Sequence, residues 1–331
     1  MRRWLYILIF LLSAHTAVLA QGIDIFSQYA DNLYLANPAA IGLSDGIEIN
    51  MAGRTQWVGI DYSPQSYILE INSKLNGFEP KTFPMGSMRT GTPHPALRIP
   101  KKPGQKSRPA LAMEGYLRYD ESGAFRTTTV NIGAAVHFPF SKGRRLAVGL
   151  KSGFGVMQLI DGRANRLINP DDPTYNRFLD DFDTRYEWDL SGGVFFYTPT
   201  YFVGYAVNKS SRRRFATESN SIKHIFLDQM IVGGYNFDVG PHVTLRPAVY
   251  LQIINPQPVD VDANLTGFYD KKFWLGIGYR SSKELYALAG AKILDRISIG
   301  YSFSMIQNGL EDQSHGTHEV VLKITTKKKK K

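Results

Sequence analysis

The sequence contains no cysteine and, beyond its first residues, no long hydrophobic run. Without cysteine, the chain has no disulfide bond, no thiolate ligand for a metal, no thiol nucleophile and no thiol for a lipid anchor. The longest apolar stretch, Trp4–Leu12, falls short of the roughly 20 residues that a membrane-spanning helix needs. These absences exclude a lipoprotein and a helical membrane protein.

The same apolar stretch predicts export. It follows Arg2 and Arg3, and Val18-Leu19-Ala20 gives a small-residue cleavage site. We therefore expect residues 1–20 to be a signal peptide that is removed from the mature chain.

Acidic residues are fewer than basic ones, with a net charge of +10, but the excess is local. Leaving out Arg2, Arg3 and Lys327–Lys331 reduces the 39 basic residues to 32, against 29 acidic ones. The body of the chain is close to neutral, which argues against a nucleic-acid partner. We expect the lysine tail, residues 327–331, to be solvated; contact with an anionic surface, such as lipid head groups or an acidic partner, is the alternative.

From Gly46 onward the dominant pattern has period two, which is typical of strands with one apolar face. Near the C-terminus, Ile297, Ile299, Tyr301 and Phe303 alternate with polar residues or glycine. Fourteen such segments are predicted, near residues 46–56, 64–74, 109–120, 124–138, 144–157, 185–197, 200–207, 225–237, 242–253, 258–268, 272–281, 285–293, 295–305 and 316–325. Most have about the 9–11 residues that a tilted strand needs to cross a bilayer, and closed bacterial barrels have an even strand number.

The predicted fold class is all-β: a transmembrane antiparallel β-barrel of outer-membrane type, with about fourteen strands over residues 46–326. The alternative is a soluble sandwich or lipocalin-like barrel, whose apolar face points inward. The export signal, the charges in mid-strand and the aromatic residues near strand ends favour the membrane barrel and an outer-membrane location. These aromatic residues include Tyr67, Tyr119, Phe138, Tyr186, Trp188, Phe273 and Tyr279.

The connections also fit such a barrel. Short links, such as 141–143 and 198–199, alternate with longer polar stretches at 158–184, 208–224 and 306–315. Outer-membrane barrels have short turns in the periplasm and longer loops outside, so we expect both mature termini in the periplasm.

Two segments depart from the strand pattern. Residues 21–45 form an N-terminal non-barrel segment, which we expect either to plug the barrel mouth or to pack beneath it. Residues 76–108 contain six prolines and seven basic residues and fall on the short-turn side. We expect them to be a flexible insertion.

With this orientation, charged residues of both signs face the barrel interior. They are Glu48, Arg54, Glu70, Glu114, Arg118, Lys151, Glu187, Asp189, Arg246, Asp260, Asp262, Arg280, Glu319 and Lys323. A selective pore favours one sign, whereas mixed charges can pair with one another. We therefore expect a lumen charge network that holds the interior in shape, with a solute-selectivity filter as the alternative.

Candidate catalytic and metal-binding residues are sparse. His315 and His318 lie near one strand end, but they have no thiolate or carboxylate at ligand spacing, so we expect no metal and no cofactor. No serine, histidine and acid trio is marked, and the acidic loop residues fit no calcium-binding loop. Glycines inside strands, such as Gly149 and Gly193, are interpreted as kinks or crowded points.

Several short motifs occur in order along the chain. They are Phe26-Ser27-Gln28-Tyr29, Asn37-Pro38-Ala39, Gly42, Arg54-Thr55-Gln56-Trp57-Val58-Gly59, Pro64, Leu275-Gly276-Ile277-Gly278-Tyr279-Arg280, Ile299-Gly300-Tyr301-Ser302 and Ser314-His315-Gly316-Thr317-His318-Glu319. This set resembles the PorP/SprF family, outer-membrane proteins of the type IX secretion and gliding system of Bacteroidota. Asn37, Pro38, Arg54, Gln56, Trp57 and Gly59 carry the N-terminal part of the resemblance. The insertion at 76–108 and the terminal lysines depart from it.

The resemblance implies a barrel in outer-membrane lipid that is not an enzyme. It implies partners among the type IX secretion components, or the C-terminal domain of a secreted adhesin held at the cell surface. The main alternative is a general diffusion porin, and a soluble exported ligand carrier is the third hypothesis.

Overall fold

A computed structural model describes residues 26–29, 32–44, 46–75, 109–141, 143–160, 185–214, 224–254, 258–307 and 312–326. The predicted signal peptide 1–20, the predicted insertion 76–108 and the lysine tail 327–331 lie outside these residues. Nearly all of the predicted loop 158–184 does so too. Within the described ranges, no helix is both long enough and apolar enough to cross a bilayer.

The described chain forms one short helix, a 3-10 turn and fifteen strands. The helix α1 is Leu33–Ala36 and the 3-10 turn is Pro38–Ala40. The strands are β1 Ile47–Thr55, β2 Gln65–Lys74, β3 Ala110–Ser122, β4 Phe125–Ser141, β5 Arg144–Leu159, β6 Arg185–Tyr197, β7 Tyr201–Arg214, β8 His224–Tyr235, β9 Phe237–Val239, β10 Val243–Ile254, β11 Asp260–Tyr269, β12 Phe273–Arg280, β13 Glu284–Leu294, β14 Ile297–Ile306 and β15 Thr317–Thr326.

The strands form one closed antiparallel sheet. Apart from β8 and β9, which do not pair with each other, the strands pair in sequence order, and β1 pairs with β15, as in the register of Ile47 with Thr326. Strands β8 and β9 are separated at Asn236 and both pair with β10, so together they occupy one position in the wall. The wall therefore has fourteen positions, which confirms the predicted closed barrel.

The alternation of side chains shows which face is apolar. Along β12, Leu275 and Ile277 are 68% and 62% exposed, whereas Trp274 and Arg280 point inward and are buried. Apolar side chains outside and polar ones inside suit a barrel surrounded by lipid, and a soluble barrel needs the reverse. The structure is therefore an outer-membrane-type barrel.

The two ends of the barrel differ. The short-turn end carries the short connections at 142–143, 198–200, 240–242, 270–272 and 295–296, and also the long one at 75–109 that contains the predicted insertion. The long-loop end carries those at 56–64, 160–184, 215–223, 255–259 and 307–316. Two further connections at the long-loop end, 123–124 and 281–283, are short. At the short-turn end, Gly143 and Gly240 adopt positive φ, which glycine accommodates without steric cost.

One predicted boundary is wrong. Strand β7 was expected to end near residue 207, with a loop over 208–224, but β7 runs to Arg214 and pairs with β6 as far as Arg185. Residues 208–214 are polar and show no apolar alternation. Backbone hydrogen bonding to an adjacent strand does not need that alternation, so the strand extends beyond its apolar part.

Candidate functional site

The N-terminal segment, defined here as the described residues 26–29 and 32–44, lies inside the barrel. Phe26, Tyr29, Ala39 and Ile41 are each at most 2% exposed. Residues of this segment form one apolar core with inward-facing wall residues. The core comprises Tyr29, Leu33, Tyr34, Ala36, Ala39, Ala40 and Ile41 of the segment, and Ala112, Ala135, Ala147, Phe195, Tyr197, Phe202, Val232 and Tyr250 of the wall.

The segment runs along the lumen toward the short-turn end. Ser27 contacts Arg280 and Glu319, which lie near the long-loop ends of β12 and β15. Further along, the Ile41 carbonyl accepts a 2.8 Å hydrogen bond from Nε2 of His137, near the short-turn end of β4. Both mature termini were expected at the short-turn end. The last described residue, Thr326, lies there, whereas Ser27 lies toward the long-loop end.

Asn37 ties the segment to two wall strands. Its Nδ2 donates to the carbonyl of Val194 at 3.0 Å and to that of Tyr205 at 3.3 Å. Its Oδ1 accepts from the backbone N–H of Ala39 at 2.9 Å and so caps the 3-10 turn. Asn37, a family-motif residue, therefore fixes the turn and its position on β6 and β7 at the same time.

Three wall glycines, Gly149, Gly193 and Gly204, receive this turn, and we call them the glycine seat. A Cβ at Gly149 would come within 2.3 Å of the carbonyl oxygen of Pro38. A Cβ at Gly193 would lie 2.1 Å from Oδ1 of Asn37, and one at Gly204 would lie 2.7 Å from its Nδ2. Gly149 and Gly193 were interpreted as either kinks or crowded points, and these close approaches show that they are crowded points.

Toward the long-loop end, Ser27 sits among five charged side chains, and we call this group the Ser27 cluster. It contains Ser27, Arg54, Asp262, Arg280, Glu284 and Glu319. The Ser27 N–H donates to Glu319 at 2.7 Å, and its hydroxyl donates to the same carboxylate at 3.1 Å. The Ser27 hydroxyl also accepts from Arg280 at 2.8 Å. Ser27 thus bonds directly to one carboxylate and one guanidinium group, and these two pair in turn with the other three charged residues of the cluster.

All of the charged residues predicted to face the lumen are buried or half-buried. Those that are buried are Glu48, Arg54, Glu70, Glu114, Glu187, Arg246, Asp262, Arg280, Glu319 and Lys323. Those that are half-buried are Arg118, Lys151, Asp189 and Asp260. Opposite charges meet at several points, as in Lys323 with Glu48 at 2.5 Å and Arg118 with Asp120 at 2.6 Å. Arg246 instead donates to Asn236 at 3.0 Å and lies over the ring of Phe268.

Uncharged polar residues, which were not among the predicted interior residues, also bond to these charges. Asn50 donates to both Glu48 and Glu70, and Asn72 donates to Glu70. Tyr286 donates to Asp262 at 2.6 Å. Asn50 and Asn72 lie two residues after Glu48 and Glu70 on their strands, so they face the same side of the wall. This spacing was the signal that would have identified them.

The motif residues Gln56, Trp57 and Gly59 lie in the β1–β2 connection at the long-loop end. The Val58 N–H donates to the carbonyl of Gly316 at 2.9 Å, and the His315 N–H donates back to Val58 at 2.6 Å. A Cβ at Gly59 would lie 2.4 Å from Nδ1 of His315. The N-terminal and C-terminal motifs of the resemblance therefore meet at this rim.

The histidines expected near this strand end have separate partners. Nδ1 of His315 lies 3.2 Å from the Val58 carbonyl, and Nδ1 of His318 lies 2.7 Å from the Tyr301 hydroxyl. Over the described ranges, no three histidine or acidic side chains come together as a metal site.

Solved structures similar to this chain include the CymD monoaromatic hydrocarbon channel, at 9% identity and a TM-score of 0.46, covering 94% of this chain and 95% of that one. The Ralstonia pickettii toluene transporter TbuX gives 9% identity and a TM-score of 0.46, covering 93% and 95%. The Acinetobacter baumannii outer membrane protein Omp33 gives 9% identity and a TM-score of 0.45, covering 86% and 100%. Among curated proteins, none matches the sequence.

The sequence also matches a protein family over residues 18–324, which include all of the described strands except the last two residues of β15. That family is described as the type IX secretion system membrane protein PorP/SprF. The match confirms the resemblance that the short motifs indicated. This chain belongs to the PorP/SprF family of type IX secretion system membrane proteins.

Proposed function

We propose that this barrel is a non-catalytic component of the type IX secretion and gliding machinery in the outer membrane. In this proposal it contacts or anchors an exported surface adhesin or another secretion partner. The observation that carries the proposal is the packed lumen, because the chain's own N-terminal segment occupies the interior of a barrel of this family. A filled barrel suits an anchor better than a conduit.

The lumen charges support the same function. Arg280 pairs with both Asp262 and Glu284, and Arg54 pairs with Glu319, so these charges neutralise one another inside the wall. Charges that are already paired hold a structure in place, whereas a selectivity filter presents unpaired groups of one sign to a passing ion. We therefore assign the lumen charge network a structural role.

The rim at the long-loop end is the proposed contact surface for the exported partner. Trp57 has a φ of 50°, which is rare for a bulky residue and is held here by hydrogen bonds to residues 315–317. A rim loop that is pinned in one conformation loses less entropy when it binds a partner. Trp57 and His315 are the residues that we expect a partner to touch.

The test is affinity purification of the tagged barrel from native membranes in mild detergent, followed by mass spectrometry. The expected result is recovery of type IX secretion components or of a large exported adhesin. Trp57→Ala should lower that recovery, and Phe273→Ala, which removes an exposed aromatic ring from the outer face, should not. If the wild-type barrel recovers none of these proteins above an unrelated outer-membrane barrel, the proposal fails.

The porin alternative is tested in planar bilayers. A general diffusion porin gives a large and steadily open conductance, whereas a packed barrel does not.

Fractionation of cells should recover the chain in the outer membrane. Mass spectrometry of that material should place its first residue at Gln21, because we expect cleavage after Ala20.

A further inference from the structure

The wall of this barrel is too wide to be filled by its own side chains. Barrels of about eight strands are filled by side chains alone, and barrels of roughly 16–18 strands leave an aqueous channel. This barrel has fourteen wall positions, and many wall residues that face the N-terminal segment are small, including Ala112, Ala135, Ala147 and the glycine seat. The segment occupies the space that these residues leave.

The segment is held at two places of different character. Toward the short-turn end, the turn at Asn37 packs without free space against the glycine seat and within the apolar core. Toward the long-loop end, the Ser27 cluster holds the chain through three hydrogen bonds to Glu319 and Arg280. Close packing fixes the first place, and hydrogen bonds to charged groups fix the second.

The charged wall residues that contact Ser27 also have partners other than Ser27. Arg280 is bonded to Asp262 and Glu284 at 2.8 Å each. Glu319 lies 3.3 Å from Arg54 and accepts from Ser302 at 2.8 Å. Loss of Ser27 from the cluster would therefore leave no buried charge alone, so the wall can persist when the segment moves away from it.

We propose that the N-terminal segment is the closure of the barrel, that is, the part of the chain that blocks its lumen. The Ser27 cluster is the contact that holds the segment in this position. The wall by itself encloses a continuous lumen, and the segment is the barrier to solutes within it. The cluster lies near the long-loop ends of β11, β12, β13 and β15, so the closure is held from the side that faces the proposed exported partner. This inference goes beyond the proposed anchoring role and has a separate readout.

The test is single-channel conductance of the full chain in planar bilayers. Ser27→Asp adds a fourth carboxylate to a cluster with two guanidinium groups, and Arg280 and Arg54 are already paired with the three that are present. The substitution should therefore expel the segment, which would raise the conductance several-fold over the wild-type chain. Ser27→Ala removes only the hydroxyl and should give a smaller rise or brief openings. Ser44→Ala is the matched control, because Ser44 is buried in the same segment but outside the cluster, and it should behave like the wild-type chain.

A reversible cross-link then tests whether the segment itself is the barrier. The sequence has no cysteine, so Gln28→Cys with Gly300→Cys introduces a single pair. The far end of the Gln28 side chain lies 2.2 Å from the position of a Cβ at Gly300, so cysteines at the two positions lie within reach of a short bis-methanethiosulfonate reagent. In the Ser27→Ala background, cross-linking should suppress the added conductance, and a reductant should restore it.

Each outcome decides the proposal. The heat-dependent shift of a folded barrel in gel electrophoresis verifies that each variant is folded, and if Ser27→Asp does not fold, Ser27→Ala carries the test. Folded Ser27 variants with wild-type conductance would overturn the closure, as would a wild-type chain that is already a large open pore. Partner recovery in the affinity purification is independent of these currents, so failure of the closure and failure of the anchoring role are distinguishable.

Discussion

Arg280 donates a hydrogen bond of 2.8 Å from Nε to Oδ2 of Asp262, and the two residues stand directly opposite each other on β12 and β11. Neither side chain is more than 1% exposed. Arg280 also pairs with Glu284 at 2.8 Å, so removing Asp262 leaves the guanidinium with one of these two carboxylates. The pair therefore makes a sharp test of the lumen charge network.

Asp262→Asn should destabilise the barrel by about 1.5–3 kcal/mol, the usual contribution of a hydrogen bond to a charged group, because Glu284 still pairs with Arg280. Urea unfolding of the barrel in lipid vesicles measures it. The matched control is Asp270→Asn, which removes a carboxylate from an exposed pair with His242 and should cost less than about 1 kcal/mol. Equal effects of the two substitutions would show that the lumen pair is solvated and that the network does not hold the interior.

The glycine seat leaves no room for a larger side chain at its three positions. Gly149→Ala places a Cβ within 2.3 Å of the Pro38 carbonyl oxygen, and because both atoms belong to or adjoin backbone, neither can move aside. Overpacking of this kind costs about 1–3 kcal/mol. In β3, Gly115 has no atom within 4 Å of its added Cβ, so Gly115→Ala should leave the urea midpoint unchanged or raise it slightly. An unchanged midpoint for Gly149→Ala would mean that the turn does not occupy its seat.

Much of the wall was predictable from the sequence, because alternation with period two identifies a strand and its two faces without knowledge of its neighbours. The predicted strand near 272–281 is β12, Phe273–Arg280, and its inward and outward residues are those expected. The extension of β7 to Arg214 was not predictable, because its evidence is the pairing with β6 rather than any local pattern.

The interior was less predictable than the wall. The alternation of side chains along each strand indicates that Arg280, Asp262 and Glu319 face inward. It does not indicate that Ser27 contacts this group, because Ser27 lies outside the strands and 292 residues from Glu319 in sequence. The same limit applies to Asn37. Its motif was recognisable, yet its two carbonyl partners come from β6 and β7, and only the folded barrel brings them together.

Asn37 gives a prediction about hydrogen-bond direction. Asn37→Asp keeps the size of the side chain but removes both donors and places a carboxylate against the carbonyls of Val194 and Tyr205. Asn37→Ala only removes the contacts, at a cost of about 1–3 kcal/mol for the lost bonds. We therefore expect Asn37→Asp to lower the urea midpoint more than Asn37→Ala does.

The control for Asn37→Asp is the same substitution at Asn236. The Oδ1 of Asn236 accepts a 3.0 Å hydrogen bond from Nε of Arg246, and a carboxylate can accept that bond equally well. Asn236→Asp should therefore have a small effect. If Asn37→Ala proves worse than Asn37→Asp, the donors of Asn37 are not what stabilises the seated turn, and packing of the turn against the wall carries the stability instead.

A charge on the outer face of the barrel should cost stability according to its depth in the bilayer. Ile132 lies near the middle of β4 and is 69% exposed, so lipid is its expected surroundings. Ile132→Arg should cost about 2–4 kcal/mol in lipid vesicles, because a cation at the bilayer midplane loses its hydration. Val239→Arg, beside the short connection at 240–242, should cost only about 0–1 kcal/mol near the interface.

The difference between the two arginine variants decides which side of the wall meets lipid. In a water-soluble barrel, both exposed positions would accept arginine with little effect, because a solvated surface charge costs almost nothing. Urea midpoints in vesicles should separate the Ile132 and Val239 variants, and midpoints in short-chain detergent should bring them closer, since micelles are thinner and more easily deformed than bilayers. Equal midpoints in vesicles would contradict a transmembrane barrel, whereas a depth-dependent loss follows from the apolar outer face and the charged interior described above.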